Sequence, residues 1–217
     1  MMKKVIVYLV SFFLITNCTE DKKSFPEQIA EKYGISKFNK VKNIEFVFNV
    51  QKKETSVKRH WKWYPKTDSI DFISKDTVIR FLKGKSDSKA LVKLNKQFIN
   101  DCYWLLFPYY LSWDKNNYKY TVTKNVQSPI KNVKATKLEI TYINNDGFTP
   151  NDIYEFYLLD TQIIEWVYRK GGSKKPTKIT TWENLKNYNG VQLFTEHNTS
   201  EKNFKVWFEN ININYYN

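Results

Sequence analysis

Short segments in which apolar and polar residues alternate are the feature of this chain that most restricts its fold. In the first of them, Ile44, Phe46 and Phe48 alternate with Glu45 and Asn49. A period of two, rich in β-branched and aromatic residues, is typical of β-strands. On this basis strands are predicted at 44–50, 57–64, 70–74, 77–82, 137–143, 153–159, 162–169, 177–182, 191–196 and 204–213.

The turns between these segments predict how the strands pair. Turn-forming residues stand at Asn145-Asp146-Gly147, Asp160-Thr161, Gly171-Gly172-Ser173 and Asn189-Gly190. Connections this short join antiparallel neighbours, and Asp160-Thr161 is predicted to close a hairpin. An open sheet of roughly ten strands usually curls. We therefore predict a mainly β (α+β) fold, in which a large curved antiparallel sheet forms an incomplete barrel.

Two or three helices are expected to cover the concave face of this sheet. One helix is predicted over 25–35, where Gly34 ends it, and a second begins after Ser88 as its cap. The segment 98–114 follows and is strongly apolar, although Pro108 interrupts it. Such a segment cannot face solvent along its whole circumference, so it must be covered or must itself cover another part of the protein.

The N-terminus has the pattern of a secretory signal. Lys3 and Lys4 precede an uncharged run from Val5 to Ile15, which is too short to span a bilayer. Ile15-Thr16-Asn17-Cys18 then resembles a bacterial lipobox, in which the cysteine is acylated and becomes the first mature residue. Two alternatives remain open: an ordinary signal cleavage near Cys18, or a disulfide with Cys102.

The lipoprotein interpretation divides the chain into a signal peptide at 1–17, a lipidated leader at 18–24 and a single domain at 25–217. Two or more acyl chains on Cys18 would anchor the protein stably to a membrane. The protein is then secreted across the inner membrane and held in the cell envelope. The acidic Glu20 and Asp21 resemble the export signal of some Gram-negative surface lipoproteins, which favours the outer membrane.

Composition argues against several classes of function. The formal net charge is +13, and two of these charges leave with the signal peptide. This excess could indicate nucleic acid, an acidic surface or anionic lipid head groups as a partner. The lysines are scattered and form no stripe, so they are interpreted as solvated side chains, and no nucleic-acid partner is predicted. His60 and His197 lack partners at metal-ligand spacing and are interpreted as satisfied surface or strand-end residues. We predict no metal, no cofactor and no enzymatic activity, because no nucleophile with its orienting groups is recognisable. An enzyme that acts on glycans or esters is the least favoured alternative.

Two motifs carry a resemblance to a known family. Residues 98–114 (FINDCYWLLFPYYLSWD) and 59–65 (RHWKWYP) resemble the signature blocks of a family of uncharacterised bacterial lipoproteins. The resemblance implies a LolA/LolB-like fold, which is a half-barrel of antiparallel strands with helices as a lid. In that superfamily, the concave apolar face holds acyl chains of lipoproteins.

The aromatic content points to the same kind of face. The chain has 7 Trp, 15 Tyr and 15 Phe residues, more than a core of this size requires. Each single tryptophan is more readily explained as core, but the set as a whole predicts a cleft. The predicted ligand-binding residues are Trp61, Trp63, Trp104, Phe107, Trp113, Trp166, Trp182 and Arg169.

Charged residues near these aromatic segments have two interpretations. Arg59 and Arg169 are predicted either to grip an anionic group or to pair with Glu165 or Glu183. Asn100, Asp101 and Asp114 could orient a ligand or bind a cation, but they are interpreted as structural groups that cap helix ends and satisfy loop amides.

The function predicted from the sequence is that of a monomeric, lipid-anchored envelope protein. It would bind an apolar ligand, an acyl chain or a lipoprotein tail, in the concave face. The alternative is a non-catalytic structural or interaction lipoprotein whose groove is filled by its own side chains.

Overall fold

The computed structural model describes residues 23–85, 88–143 and 150–216. The predicted signal peptide, Cys18 and the turn at 145–147 lie outside this part of the chain. Within it, no helix is long and apolar enough to cross a membrane.

Three helices and twelve strands make up the described structure. The helices are α1 (Phe25–Lys32), α2 (Ile35–Phe38) and α3 (Lys89–Trp113). The strands are β1 (Val41–Lys52), β2 (Thr55–Tyr64), β3 (Ser69–Ile73), β4 (Val78–Leu82), β5 (Tyr118–Gln127), β6 (Lys134–Tyr142), β7 (Ile153–Leu159), β8 (Gln162–Arg169), β9 (Lys178–Thr181), β10 (Glu183–Tyr188), β11 (Val191–Asn198) and β12 (Phe204–Tyr215).

The strands form two antiparallel sheets that do not close into a barrel. The first sheet has the order β10-β11-β12-β1-β2-β3-β4, and the second has the order β5-β6-β7-β8-β9. The chain passes from the second sheet to the first at Trp182, between β9 and β10. The predicted fold class is confirmed, with the curved surface divided over two sheets.

Helix α3 joins the two sheets through one hydrophobic core. Phe98, at the middle of the helix, packs edge-on against Trp61 of β2 with ring centroids 5.5 Å apart. Further along the helix, the ring centroid of Phe107 lies 4.6 Å from that of Phe156 in β7. The apolar segment predicted to be covered is therefore covered from both sides.

α3 runs without a break through Pro108, where the sequence suggested an interruption. Proline cannot donate to the carbonyl four residues earlier, which is that of Trp104, and this loss normally breaks a helix. Leu105, Leu106 and Phe107 are fully buried here. Their burial outweighs the local preference, since each such side chain contributes about 1.5–3 kcal/mol.

The helix predicted at 25–35 is divided at Gly34. α1 ends at Lys32, and Gly34 has φ +92°, a left-handed conformation that favours glycine. A Cβ at Gly34 would lie 1.9 Å from the carbonyl oxygen of Gly190. This close approach brings α1 and α2 against the β10–β11 hairpin.

The sequence analysis did not predict two of the strands, β5 and β10. β5 pairs with β6, but nearly all of its residues after Tyr118 are exposed. β10 is a mostly polar edge strand of the first sheet. Neither strand buries a full apolar face: β10 is mostly polar, and in β5 the side chains of Tyr120 and Val122 alternate with polar ones but are exposed.

Candidate ligand-binding pocket

A cavity of about 360 Å³ lies between α3 and the β7–β8 hairpin. Its aromatic wall consists of Tyr103 and Trp104 from α3, Tyr154 from β7, and Trp166 and Tyr168 from β8. We call this cavity the aromatic pocket. Its volume is at the lower end of the range for small-molecule sites, about 300–1,000 Å³.

The wall of the aromatic pocket is a set of packed rings. Trp104 and Trp166 meet edge to face with centroids 4.8 Å apart, and Tyr154 stacks on Tyr168 at 5.1 Å. Trp166 is almost fully buried, and its indole N–H has no hydrogen-bond acceptor within the described residues. A buried donor without a partner is uncommon in proteins.

Polar groups stand at the rim of this pocket. The carboxylate of Asp152 accepts hydrogen bonds from the Tyr168 hydroxyl at 2.9 Å and from the backbone N–H of Gly171 at 2.6 Å. Lys96 and Asn100 of α3 complete the rim and are exposed. An apolar floor with a polar rim suits an amphiphilic ligand.

A buried ion pair fixes α3 to β2 beside the pocket. Asp101 is fully buried and accepts hydrogen bonds from Arg59 at 2.7 and 2.6 Å, from the indole of Trp61 at 2.8 Å and from the amide of Asn100 at 3.0 Å. The guanidinium of Arg59 also lies 4.7 Å from the ring centre of Phe48. Asp101 thus has a structural role, as the ion-pair partner that joins α3 to β2, although the sequence predicted a capping role.

The predicted ligand-binding residues are distributed over three environments. Trp104 and Trp166 line the aromatic pocket. Trp63 and Trp113 line a separate cavity of about 320 Å³ near the C-terminal end of α3. The remaining aromatic members, which are buried in the core, are Trp61, Phe107 and Trp182.

Arg169, the remaining predicted ligand-binding residue, is held by a carboxylate of its own sheet. Its Nε donates to Glu155 at 2.8 Å, whereas Glu165 and Glu183 were the partners considered from sequence. Glu165 instead accepts hydrogen bonds from the backbone N–H groups of Ile130 and Lys131. Glu165 therefore fixes the turn between β5 and β6.

His197 is not at the surface, where the sequence analysis allowed for it. It is fully buried, with its ring 4.7 Å from that of Trp182 and 5.4 Å from that of Trp104. Burial lowers the pKa of His197 to about 3, so the imidazole is neutral at ordinary pH. His197 therefore supports Trp104 from the side of the core.

His60 agrees better with the surface interpretation. It is partly exposed on β2, and its Nε2 lies 2.9 Å from the carboxylate of Glu45 on the neighbouring strand. Among residues 23–85, 88–143 and 150–216, no three His, Cys, Asp or Glu side chains cluster as metal ligands would.

Sequence reasoning missed three of the five aromatic residues of the pocket, namely Tyr103, Tyr154 and Tyr168. Tyr154 and Tyr168 are direct partners in the register of β7 and β8, as are Phe156 and Trp166. The predicted hairpin at Asp160-Thr161 already implied that β7 and β8 pair, although it did not give their register. Tyr154 and Tyr168 lie on the same face of the hairpin as Trp166, and this pattern of aromatic residues could have identified them.

Comparison with known proteins supports the fold and does not assign a family. No family profile matches the chain, and no curated protein matches it in sequence. Among solved structures, a LolA superfamily protein from Nitrosomonas europaea is similar, with 10% identity, a TM-score of 0.50, and 90% of this chain and 96% of that chain covered.

Two further structures are less similar. A DUF1329 family protein from Desulfovibrio piger has 10% identity and a TM-score of 0.48, with 87% of this chain and 92% of that chain covered. A putative outer membrane lipoprotein-sorting protein domain from Vibrio parahaemolyticus has 12% identity and a TM-score of 0.48, with 86% and 91% covered. The chain has a LolA-like fold, with an open arrangement of antiparallel strands around a central helix.

Proposed function

We propose that the protein is a non-catalytic envelope protein that binds an apolar ligand, an acyl chain or a lipoprotein tail, in the aromatic pocket. The observation that carries this proposal is the open, aromatic-walled cavity between α3 and β7–β8. Trp104 and Trp166 are the predicted residues that contact the ligand in it. Removing about 200 Å² of acyl-chain surface from water would contribute about 5 kcal/mol to binding.

Blocking the pocket tests this proposal. Asn100 is exposed at the rim, so Asn100→Trp places a large ring at the mouth and removes the one hydrogen bond that the Asn100 amide donates to Asp101. Gln28→Trp, on the exposed face of α1, adds the same side chain outside the pocket and serves as the control. The full chain is expressed, and binding of a fluorescent fatty acid is titrated for each purified protein.

We expect Asn100→Trp to lower the affinity at least about tenfold and Gln28→Trp to leave it unchanged, since about 1.4 kcal/mol of lost burial corresponds to tenfold. Native mass spectrometry of the unmodified protein should also detect a co-purifying lipid. Equal affinities for the two variants, or no binding by the unmodified protein, would refute the proposal.

The membrane anchor is a separate proposal that depends on Cys18. Labelled palmitate fed to cells that express the full chain should be incorporated, and Cys18→Ser should abolish the incorporation. Cys102→Ala is the matched control, because Cys102 is fully buried in α3 and has no access to an acylating enzyme. Label that persists in Cys18→Ser would rule out the anchor.

One observation favours the second candidate function, a structural or interaction protein with a self-filled groove. Leu105, Leu106 and Phe107 of α3 are fully buried and occupy much of the space between the sheets. On this hypothesis the anchored protein retains a protein partner in pull-down experiments, and the pocket variant Asn100→Trp retains the partner as well.

A further inference from the structure

A second cavity adjoins the aromatic pocket along α3. It has a volume of about 360 Å³ and is lined by Lys89, Lys93 and Lys96 together with Arg59 and polar or apolar neighbours. Lys96 and Asn100 line both cavities. The two cavities therefore follow one another on the same side of the helix.

The spacing of the three lysines makes them a row. Positions 89, 93 and 96 are separated by four and three residues, which places them on one helical face. Tyr103 and Trp104 continue this side of the helix into the aromatic pocket. With a rise of about 1.5 Å per residue, Lys96 and Tyr103 are about 10 Å apart along the axis.

This lysine row concentrates positive charge on one face of α3. All three side chains are exposed, and none forms an ion pair with any residue that the structure describes. Arg59 adds no net charge, because its guanidinium is paired with the buried Asp101. The sequence interpretation of the lysines as scattered is therefore wrong for α3.

Other local groups reinforce the field of the row. The lysines occupy the first two turns of α3, where the helix N-terminus adds partial positive charge. The one carboxylate of the aromatic pocket, Asp152, is bonded to Tyr168 and Gly171. The two adjoining cavities together form one groove along α3. Positive potential lies at one end of this groove, and aromatic rings lie at the other end.

We propose that the ligand is an anionic glycerophospholipid, whose phosphate lies on Lys89, Lys93 and Lys96 and whose acyl chain enters the aromatic pocket. This inference rests on the proposed function and adds the class of head group. Lysine binds phosphate as a mobile point charge, which suits head groups of varied shape. A ligand without an anionic head group would leave the row unused.

The test compares two lipids that differ only in head-group charge. Dihexanoylphosphatidylglycerol and dihexanoylphosphatidylcholine are titrated into the purified full-chain protein by calorimetry at low salt. The test variant is Lys89→Gln/Lys93→Gln/Lys96→Gln. Its control is Lys40→Gln/Lys42→Gln/Lys186→Gln, which removes three exposed lysines that line neither cavity.

We expect the unmodified protein and the control to prefer phosphatidylglycerol by about tenfold, and the test variant to lose this preference while its phosphatidylcholine affinity is unchanged. The preference should also fall at high salt, because exposed charges are screened beyond about 10 Å at 0.1 M. Inorganic phosphate alone should bind much more weakly than the lipid.

Three outcomes would overturn this inference. If the test variant still prefers phosphatidylglycerol, the three lysines do not recognise the head group, and the proposed function stands without them. Equal binding of inorganic phosphate and phosphatidylglycerol shows that the acyl chain contributes nothing, and the site then recognises a free anion. If neither lipid binds, the proposed function fails together with the head-group inference.

Discussion

Removing the carboxylate of Asp101 should destabilise the protein strongly. In Asp101→Ala, the guanidinium of Arg59 and the indole N–H of Trp61 lose their acceptor. The side chain of Arg59 is only 14% exposed, so water cannot fully replace the carboxylate. Breaking a buried pair from one side leaves an uncompensated charge, which typically costs about 3–5 kcal/mol.

The size of this free-energy cost depends on how many hydrogen-bond donors the carboxylate of Asp101 accepts from. Two bonds come from a charged group and two from neutral groups, Trp61 and Asn100. Adding about 1.5–3 kcal/mol for each charged hydrogen bond would overstate the loss, because the members of one network are not additive. For a chain of this size, about 3–5 kcal/mol corresponds to a fall in Tm of roughly 6–20 °C.

Urea unfolding followed by tryptophan fluorescence measures this loss. The matched control is Glu31→Ala, which removes the ion pair with Lys23 at a similar distance, 2.8 Å, but at an exposed site. That exposed pair should be worth less than about 1 kcal/mol. The double variant Arg59→Met/Asp101→Leu should recover much of the stability, since both charges leave together. Equal losses in Asp101→Ala and Glu31→Ala would refute the reasoning.

Two further predictions concern buried positions outside the pocket. Since burial holds the pKa of His197 at about 3 while the unfolded residue protonates near 6.5, stability is full above pH 6.5 and falls toward pH 3. By linkage the unfolding free energy should be about 2 kcal/mol lower at pH 5 than at pH 7.5 in urea titrations, and His197→Leu should reduce this difference. Gly34→Ala should lower the Tm more than Gly84→Ala. Both glycines have positive φ, but only at Gly34 would a Cβ collide, with the carbonyl of Gly190; equal shifts would contradict this.

The strands that bury one face were predictable from the sequence. β1, β7, β8 and β11 place apolar side chains in the core at alternate or continuous positions, and the sequence shows this directly. β5 has the same alternation of Tyr120 and Val122 with polar residues, yet those side chains are exposed. Its pairing with β6 depends on backbone hydrogen bonds, which the side-chain pattern does not reveal.

The composition of the aromatic pocket depends on a single β-bulge. A regular hairpin closed by Asp160-Thr161 would pair Leu159 with Gln162 and continue so that Tyr154 faces Val167. The structure shifts the register by one residue between Tyr157 and Leu158, and Tyr154 then pairs with Tyr168. A one-residue shift changes every cross-strand pair beyond it, and sequence alone did not locate this bulge.

The lysine row could be predicted from the sequence, but its significance depends on a tertiary contact as well. Ser88 as a helix cap was predicted and is confirmed, since its hydroxyl accepts the N–H of Leu91 at 3.3 Å. That helix assignment already places Lys89, Lys93 and Lys96 on one face. Their proximity to aromatic residues from β7 and β8 is a tertiary contact, so their significance appears only in the folded chain.

The burial gradient along α3 connects the two candidate functions. Its first half, up to Asn100, presents lysines to solvent, whereas Leu105 to Phe107 are fully buried between the sheets. A ligand that entered further would have to displace these side chains, each of which contributes about 1.5–3 kcal/mol by its burial. An acyl chain of equal area would restore a similar amount, so this exchange is close to neutral. The buried pair of Asp101 and Arg59 would oppose movement of α3, and on the proposed function a ligand would then be limited to the open end of the groove.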